Sequence, residues 1–209
     1  MTMPHPFLKI AIITDNYYPK IGGVEYCVDA LGRYLVERGH HVVIITSKRR
    51  GQPMDEQKGV LHIKRRSYAT MLGVLCGRSA KWRQFLCQFD IVHAHSLGSP
   101  WAVLGMIIAK KLKKPHVLTS HSLYRSKDRW LMQWFGKLVN HCICVSHAVV
   151  ADMQAMKKGM ITYHIPNGFD EPTSNQQGCL IPMPGLPKKP GELVIGIYFE
   201  IDSQKNVSE

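Results

Sequence analysis

Apolar residues along the chain alternate between two periods. Leu8 to Thr14 (LKIAIIT) is a nearly continuous apolar run rich in isoleucine, the pattern of a strand buried on both faces of a parallel sheet. After the turn DNYYPKIGG, Val24, Cys27, Val28, Leu31 and Leu35 recur at helical spacing until Gly39, which predicts a helix ended by glycine. Val42 to Thr46 (VVIIT) is then a second buried strand, completing a βαβ unit with a right-handed crossover. The alternation continues with a weaker strand at Val60 to Ile63, a helix from about Thr70 to Phe89, and a strand at Asp90 to His95. Ser99 and Pro100 make an N-cap and first-turn pair for a helix to about Leu112. Strands at His116 to Ser120, His141 to Val145 and Ile161 to Ile165 alternate with helices at Asp128 to Val139 and Ala148 to Met156, the latter capped by Ser146. Strands that alternate with helices predict an α/β fold, a doubly wound, Rossmann-like parallel sheet.

Past Ile165 the periodicity ends. Pro166, Pro172, Pro182, Pro184, Pro187 and Pro190 crowd one stretch, and Leu193 to Ile201 (LVIGIYFEI) then reads as one further strand. The expected organisation is a Rossmann-like domain over residues 1–168, a proline-rich linker over 169–192, and over 193–209 the first strand and stub of a second domain that is otherwise missing.

Composition narrows the class. The chain has 209 residues, of which 45% are apolar and 20% charged, as in ordinary globular proteins. No apolar run approaches the roughly 18 residues of a membrane span, and Met1 to Phe7 has no apolar core of a secretory signal. The net charge is +12, and ten basic against two acidic residues fall between Lys48 and Arg83. Such a field attracts nucleotide phosphates, nucleic acid or an anionic lipid surface, or is simply a solvated basic face. No nucleic-acid-binding motif accompanies it, so nucleic acid is not an expected partner. The six cysteines form no C-x-x-C pair and read as structural.

Ligands of open parallel sheets bind at the carboxyl ends of the strands, so the loops after Thr14, His95, Ser120, Val145 and Ile165 are the candidate site. Gly22 and Gly23 precede a helix start, where N–H groups and the helix dipole favour a phosphate or merely allow a turn. His93 and His95 share one face of their strand. They could be hydrogen-bonded pocket histidines or zinc ligands, but no third ligand lies at metal-site spacing, and no metal is expected. His121, inside T-S-H-S, stands at a strand's carboxyl end, where an imidazole can donate a hydrogen bond or exchange a proton near neutral pH.

The ordered segments DNYYPKIGGVE, LVERGHHVVIIT, DIVHAHS, LTSHSL, ICVSHAV and IPNGFD resemble the N-terminal domain of GT-B glycosyltransferases of family 4. Within it they are most similar to the enzymes that transfer N-acetylglucosamine to phosphatidylinositol in GPI anchor biosynthesis, and to prokaryotic relatives. The resemblance runs from about Lys9 to Asp170. It implies two Rossmann-like domains facing across a cleft, a UDP- or GDP-sugar as co-substrate with no cofactor or metal, retention at the transferred sugar, and a lipid or inositol-type acceptor. It further implies that Gly22 and Gly23 approach the donor diphosphate, that His121 lies beside the transferred sugar as the catalytic histidine, and that Asn16, Tyr17, Lys20 and His95 line the acceptor side. Asn167 and Gly168 would form the hinge. A cytoplasmic protein peripheral to a membrane follows, at the endoplasmic reticulum if eukaryotic, with other transferase subunits as partners. Where the family continues with a Gly-Arg strand and a carboxylate pair that grips the donor, this chain reads IGIYFEIDSQKN. The donor half is therefore expected to be absent, and a non-catalytic lipid- or partner-binding remnant is the alternative. The segment Lys64 to Phe89, with basic residues among apolar ones, is expected to form a helix lying on an anionic membrane.

Overall fold

A computed structural model describes residues 7–15, 17–124 and 129–168, with backbone alone at 129–132. These residues lie within one compact unit, Met1–Asp170. The order is β1 (Lys9–Thr14), α1 (Gly23–Glu37), β2 (His41–Ser47), β3 (Asp55–Lys58), β4 (Leu61–Arg66), α2 (Tyr68–Leu75), α3 (Ala80–Cys87), β5 (Ile91–His95), α4 (Pro100–Lys111), β6 (His116–Ser120), α5 (Arg129–Gly136), β7 (His141–Cys144), α6 (His147–Met156) and β8 (Ile161–His164). The strands form one sheet in the order β3-β4-β2-β1-β5-β6-β7-β8. All neighbours are parallel except β3 and β4. The expected Rossmann-like sheet is therefore present.

Register explains how the two faces are filled. Ile10 and Ile12 of β1 point to the face covered by α1, where Val28 meets Val42, Ile44, Leu61 and Ile63. Ala11 and Ile13 point to the other face, against Trp101 and Ile108 of α4 and Met71 and Val74 of α2. That layer continues across the sheet through Ala94, Leu118 and Cys142 to Val149 and Met153 of α6. Strands buried on both faces carry apolar residues at successive positions, which is why their sequences run nearly unbroken. Ser99 and Ser146 cap α4 and α6, accepting hydrogen bonds from Ala102 N–H at 3.2 Å and Val149 N–H at 3.3 Å.

Three expectations change. The single helix expected from Thr70 to Phe89 is two helices, α2 and α3, separated at Cys76 to Ser79. Gly77 takes φ +75° there, a left-handed conformation open to glycine. Most apolar residues of this segment face the protein: Met71, Val74, Leu86 and Phe89 are buried in the core, whereas Leu72 is exposed, and the cationic Arg65 is itself only 2% exposed. Arg66 lies over the Trp82 ring and Lys64 over that of Phe85. One continuous helix offering this face to a membrane is thus replaced by two helices packed on the sheet. The third change is β3, whose polar sequence DEQK shows no strand pattern. It pairs antiparallel with β4 across Gly59, at φ +58°, and Asp55 and Glu56 bind Lys64, Arg66 and Arg65. The basic segment thus neutralises part of its own charge. The expected linker over 169–192 and strand over 193–201 lie outside the described residues.

Candidate active site

The strand order reverses beside β1: the chain runs outward through β2 and β4 and then returns to place β5 on β1's other side. Carboxyl ends of adjacent strands whose connections leave in opposite directions form a crevice. Here those are the ends of β1 and β5, flanked by β6. This sheet order sets the loop after Thr14 next to the end of β5, which carries His95, with His121 one strand further on, after β6.

The loop after β1 is held from below and from both sides. Thr46 Oγ1 and Ser47 Oγ donate to the Asp15 carbonyl at 3.0 and 2.6 Å, and Tyr68 Oη donates to Asp15 Oδ1 at 2.8 Å. Arg65 Nη2 donates to the Tyr18 carbonyl at 2.8 Å, while its Nη1 binds Glu56 at 2.6 Å. Tyr17 is buried and its hydroxyl donates to Asp29, which also pairs with Arg33 at 3.1 Å and Lys58 at 3.2 Å. Burial, followed by the bond to Asp29, pushes the Tyr17 phenol far above its ordinary value. Burial alone would raise Asp29, but the hydrogen bonds from Tyr17, Lys58 and Arg33 outweigh it and hold the carboxyl low. Lys58 also stands over the Tyr18 ring, 3.1 Å from its centroid. Sequence pattern did not single out Arg65, Asp29 or Lys58 as supports of this loop, because each reaches it from a distant element.

At the start of α1, Gly22 is the N-cap residue in extended conformation. A Cβ on Gly22 would lie 2.6 Å from Glu25 Oε2, whereas one on Gly23 would meet nothing within 4 Å. Glu25, buried and 4.0 Å from Lys20, thus brings its own carboxylate to the positive end of the helix. An arriving phosphate would displace this side chain or share its surroundings. Lys20 is half exposed. Asn16 lies outside the described residues, and Asn167 and Gly168 are exposed after β8.

The histidines form one stack. The rings of His93 and His95 are 4.5 Å apart, and those of His95 and His121 are 5.3 Å apart, each pair nearly parallel. His93 Nε2 bonds Thr119 Oγ1 at 2.7 Å, and His95 Nδ1 bonds His121 Nε2 at 3.0 Å. His95 is only 2% exposed, and its Nε2 has no hydrogen-bond partner; His121 is half-buried. Of the four positions expected on the acceptor side, Tyr17 and His95 are therefore interior. Burial drives all three imidazoles toward the neutral form: His93 to about 4, with the nearby His121 as a lesser cause, His95 well below its ordinary value, and His121 downward. A second tie joins the same two loops. Tyr124 Oη accepts from Leu97 N–H at 2.8 Å and lies 3.2 Å from Ser120 Oγ, and Tyr124 N–H donates to Asp152 at 3.1 Å. Ser96, between His95 and Leu97, has φ +67° and donates to the Thr119 carbonyl at 2.8 Å. A left-handed non-glycine residue at such a position is backbone strain held by its surroundings. No group of three or more His, Cys, Asp or Glu among the described residues has metal-site geometry.

The fold and the crevice define an α/β domain of the GT-B type. Two crystal structures share it: Anabaena Alr3699/HepE in complex with UDP, with TM-score 0.57 and 19% identity, and the same protein with UDP and glucose, with TM-score 0.55 and 17% identity. Each alignment covers 78% of this chain and 45% of the other. The model of glycosyltransferase family 4 matches residues 21–171, and the chain belongs to that family. It is 27% identical over 169 residues to the GPI3 subunit of the phosphatidylinositol N-acetylglucosaminyltransferase of Saccharomyces cerevisiae, covering 73% of this chain and 35% of that protein. To the corresponding human phosphatidylinositol N-acetylglucosaminyltransferase protein it is 29% identical over 183 residues, covering 78% and 37%. The alpha-monoglucosyldiacylglycerol synthase of Streptococcus pneumoniae is 26% identical over a gapped alignment of 230 positions, covering 96% and 50%. The chain spans about a third to a half of the length of these curated relatives.

Proposed function

We propose that this chain is the acceptor-side domain of a retaining glycosyltransferase that moves a hexose or N-acetylhexosamine from a UDP- or GDP-sugar to a lipid or inositol-type acceptor, with N-acetylglucosamine and phosphatidylinositol as the leading pair. The observation that supports the reading is that a family 4 domain carries Gly22 and Gly23 in the loop after β1 and His121 in the loop after β6, both at the carboxyl ends of strands that flank β5 at the switch point. In this reading the N–H groups at the start of α1 face the donor diphosphate once Glu25 swings aside, and His121 touches the transferred sugar. Lys20 and Asn16 meet the acceptor. Rate enhancement comes from positioning and from fixed dipoles directed at the departing diphosphate, with no metal. Asn167 and Gly168 form the hinge to a donor-binding domain, and other transferase subunits are the protein partners.

Membrane attachment belongs to the same proposal in a reduced form. The surface offered is the outer side of α2 and α3, where Tyr68 and Leu72 are exposed beside Arg78, Lys81 and Arg83. No helix among the described residues is long and apolar enough to cross a membrane. The transferase reading is tested by joining residues 1–168 to the donor-binding half of a family 4 relative and following sugar transfer from UDP-N-acetylglucosamine to phosphatidylinositol and to diacylglycerol. Transfer to either lipid, slowed by about two to four decades by His121→Ala in a folded protein, is the expected result. A folded fusion that hydrolyses or transfers no sugar, from UDP or GDP donors alike, would overturn it.

A further inference from the structure

His95 is expected from sequence to line the acceptor side, yet it is interior and its one hydrogen bond goes to another imidazole, His121. Two neutral imidazoles joined through single nitrogens must divide the roles: one nitrogen donates and the other accepts. Two arrangements exist. If His121 Nε2–H donated to His95 Nδ1, the remaining proton of His95 would sit on Nε2, a buried N–H with no partner, which native structures rarely tolerate. If His95 Nδ1–H donates, that proton is used and Nε2 keeps only a bare lone pair, the lesser penalty. His121 Nε2 is then the accepting nitrogen, and the proton of the neutral His121 ring must lie on Nδ1.

We propose that His95 is a positioning residue that fixes His121 in the Nδ1–H tautomer, so that the nitrogen left for substrate is a hydrogen-bond donor directed at an oxygen of the sugar or its diphosphate. The surroundings enforce one orientation. His93 stacks on the far side of His95 and is anchored to Thr119, and the Leu97–Tyr124 bond ties together the two loops that carry the pair. Burial keeps all three rings uncharged at neutral pH. In this form His121 has no basic nitrogen free, so its part in transfer is to bind and polarise, not to remove a proton. This inference deepens the proposed function, because it assumes that His121 faces substrate, but its test needs no turnover.

The test is long-range proton–nitrogen correlation NMR on the 209-residue chain labelled with 15N-histidine, with His121 assigned by its loss in His121→Gln. The expected spectrum near pH 7.5 shows a protonated Nδ1 and an unprotonated Nε2 for both His95 and His121. His95→Asn, whose amide N–H group stands close to where Nδ1 stood, should retain this state of His121. His95→Leu removes the donor and should return His121 to the Nε2–H form. A wild-type His121 protonated at Nε2 overturns the proposal, as does a folded His95→Leu chain with an unchanged His121 tautomer. Should His95→Leu fail to fold, the wild-type and His95→Asn spectra still decide. Absence of glycosyl transfer in the fusion enzyme would refute the functional reading and leave these spectra unaffected.

Discussion

Lowering the pH from 7 to 5 should destabilise this domain through its buried histidines, and His93 allows the size to be worked out. An unfolded histidine titrates near 6.5, whereas burial and the neighbouring His121 depress His93 to about 4 in the folded protein. The sign follows from proton counting: between these values the unfolded chain holds a proton that the folded chain refuses, so stability falls as pH drops. For one group moving from 6.5 to about 4, the linkage integral between pH 7 and pH 5 is about 2 kcal/mol. His95 and His121, depressed by burial as well, add in the same direction. The carboxylates do not interfere in this window, since Asp29 and Asp55 are held below 3.8 and lose their contribution only in stronger acid. The assay is urea unfolding of wild type and His93→Gln at pH 7, 6 and 5. The substitution also disturbs the bond to Thr119 Oγ1. That fixed effect cancels, because the quantity compared is each protein's change with pH. His93→Gln should lose about 2 kcal/mol less than wild type over this range. Equal losses in the two proteins would show that His93 is free to take up a proton in the folded state, and the neutral stack would be refuted.

Other consequences can be measured independently. Gly105 of α4 lies so close to β1 that an added Cβ would be 2.7 Å from Ile13 Cδ1. Gly105→Ala should therefore lower stability by about 1–2 kcal/mol, overpacking outweighing a helix-propensity gain of about 1 kcal/mol, and a raised denaturation midpoint would contradict the packing. Arg65→Met leaves the Tyr18 and Glu56 oxygens without their buried donor. It should cost about 2–4 kcal/mol and speed hydrogen exchange in residues 17–20, and unchanged exchange there would remove Arg65 from the support of the site. His121→Ala in the fusion enzyme should slow transfer by about two to four decades while lowering stability by only about 1–3 kcal/mol, because the buried His95 Nδ1 loses its partner; normal turnover would make the residue structural. Binding to anionic vesicles should fall on reversing Arg78, Lys81 and Arg83 together, and equal binding to neutral vesicles would discard the surface.

Much of the fold is written locally. The isoleucine-rich runs at β1 and β2, the helical spacing from Val24 to Leu35 and the capping residues Ser99 and Ser146 act over a few residues, and local periodicity is what a sequence states directly. In open parallel sheets ligands bind at the loops past the carboxyl ends of the strands, so Gly22, Gly23 and His121 could be named as candidates before any contact was known. Elements without a period were hidden: β3 is polar and exists because β4 offers it an edge and cationic partners. The break between α2 and α3 depends on one left-handed glycine inside an otherwise helical pattern. The chemistry of the site was decided by tertiary structure alone. His95 and His121 are 26 residues apart, and they meet because β5 and β6 are parallel neighbours in register, Ala94 beside Leu118 and His95 beside Thr119. The alternation that placed His93 and His95 on one face could not tell whether that face opened to solvent or was closed by a third ring. Burial removes water as the competing partner, and only then does a shared proton between two imidazoles fix which nitrogen of His121 remains for a ligand.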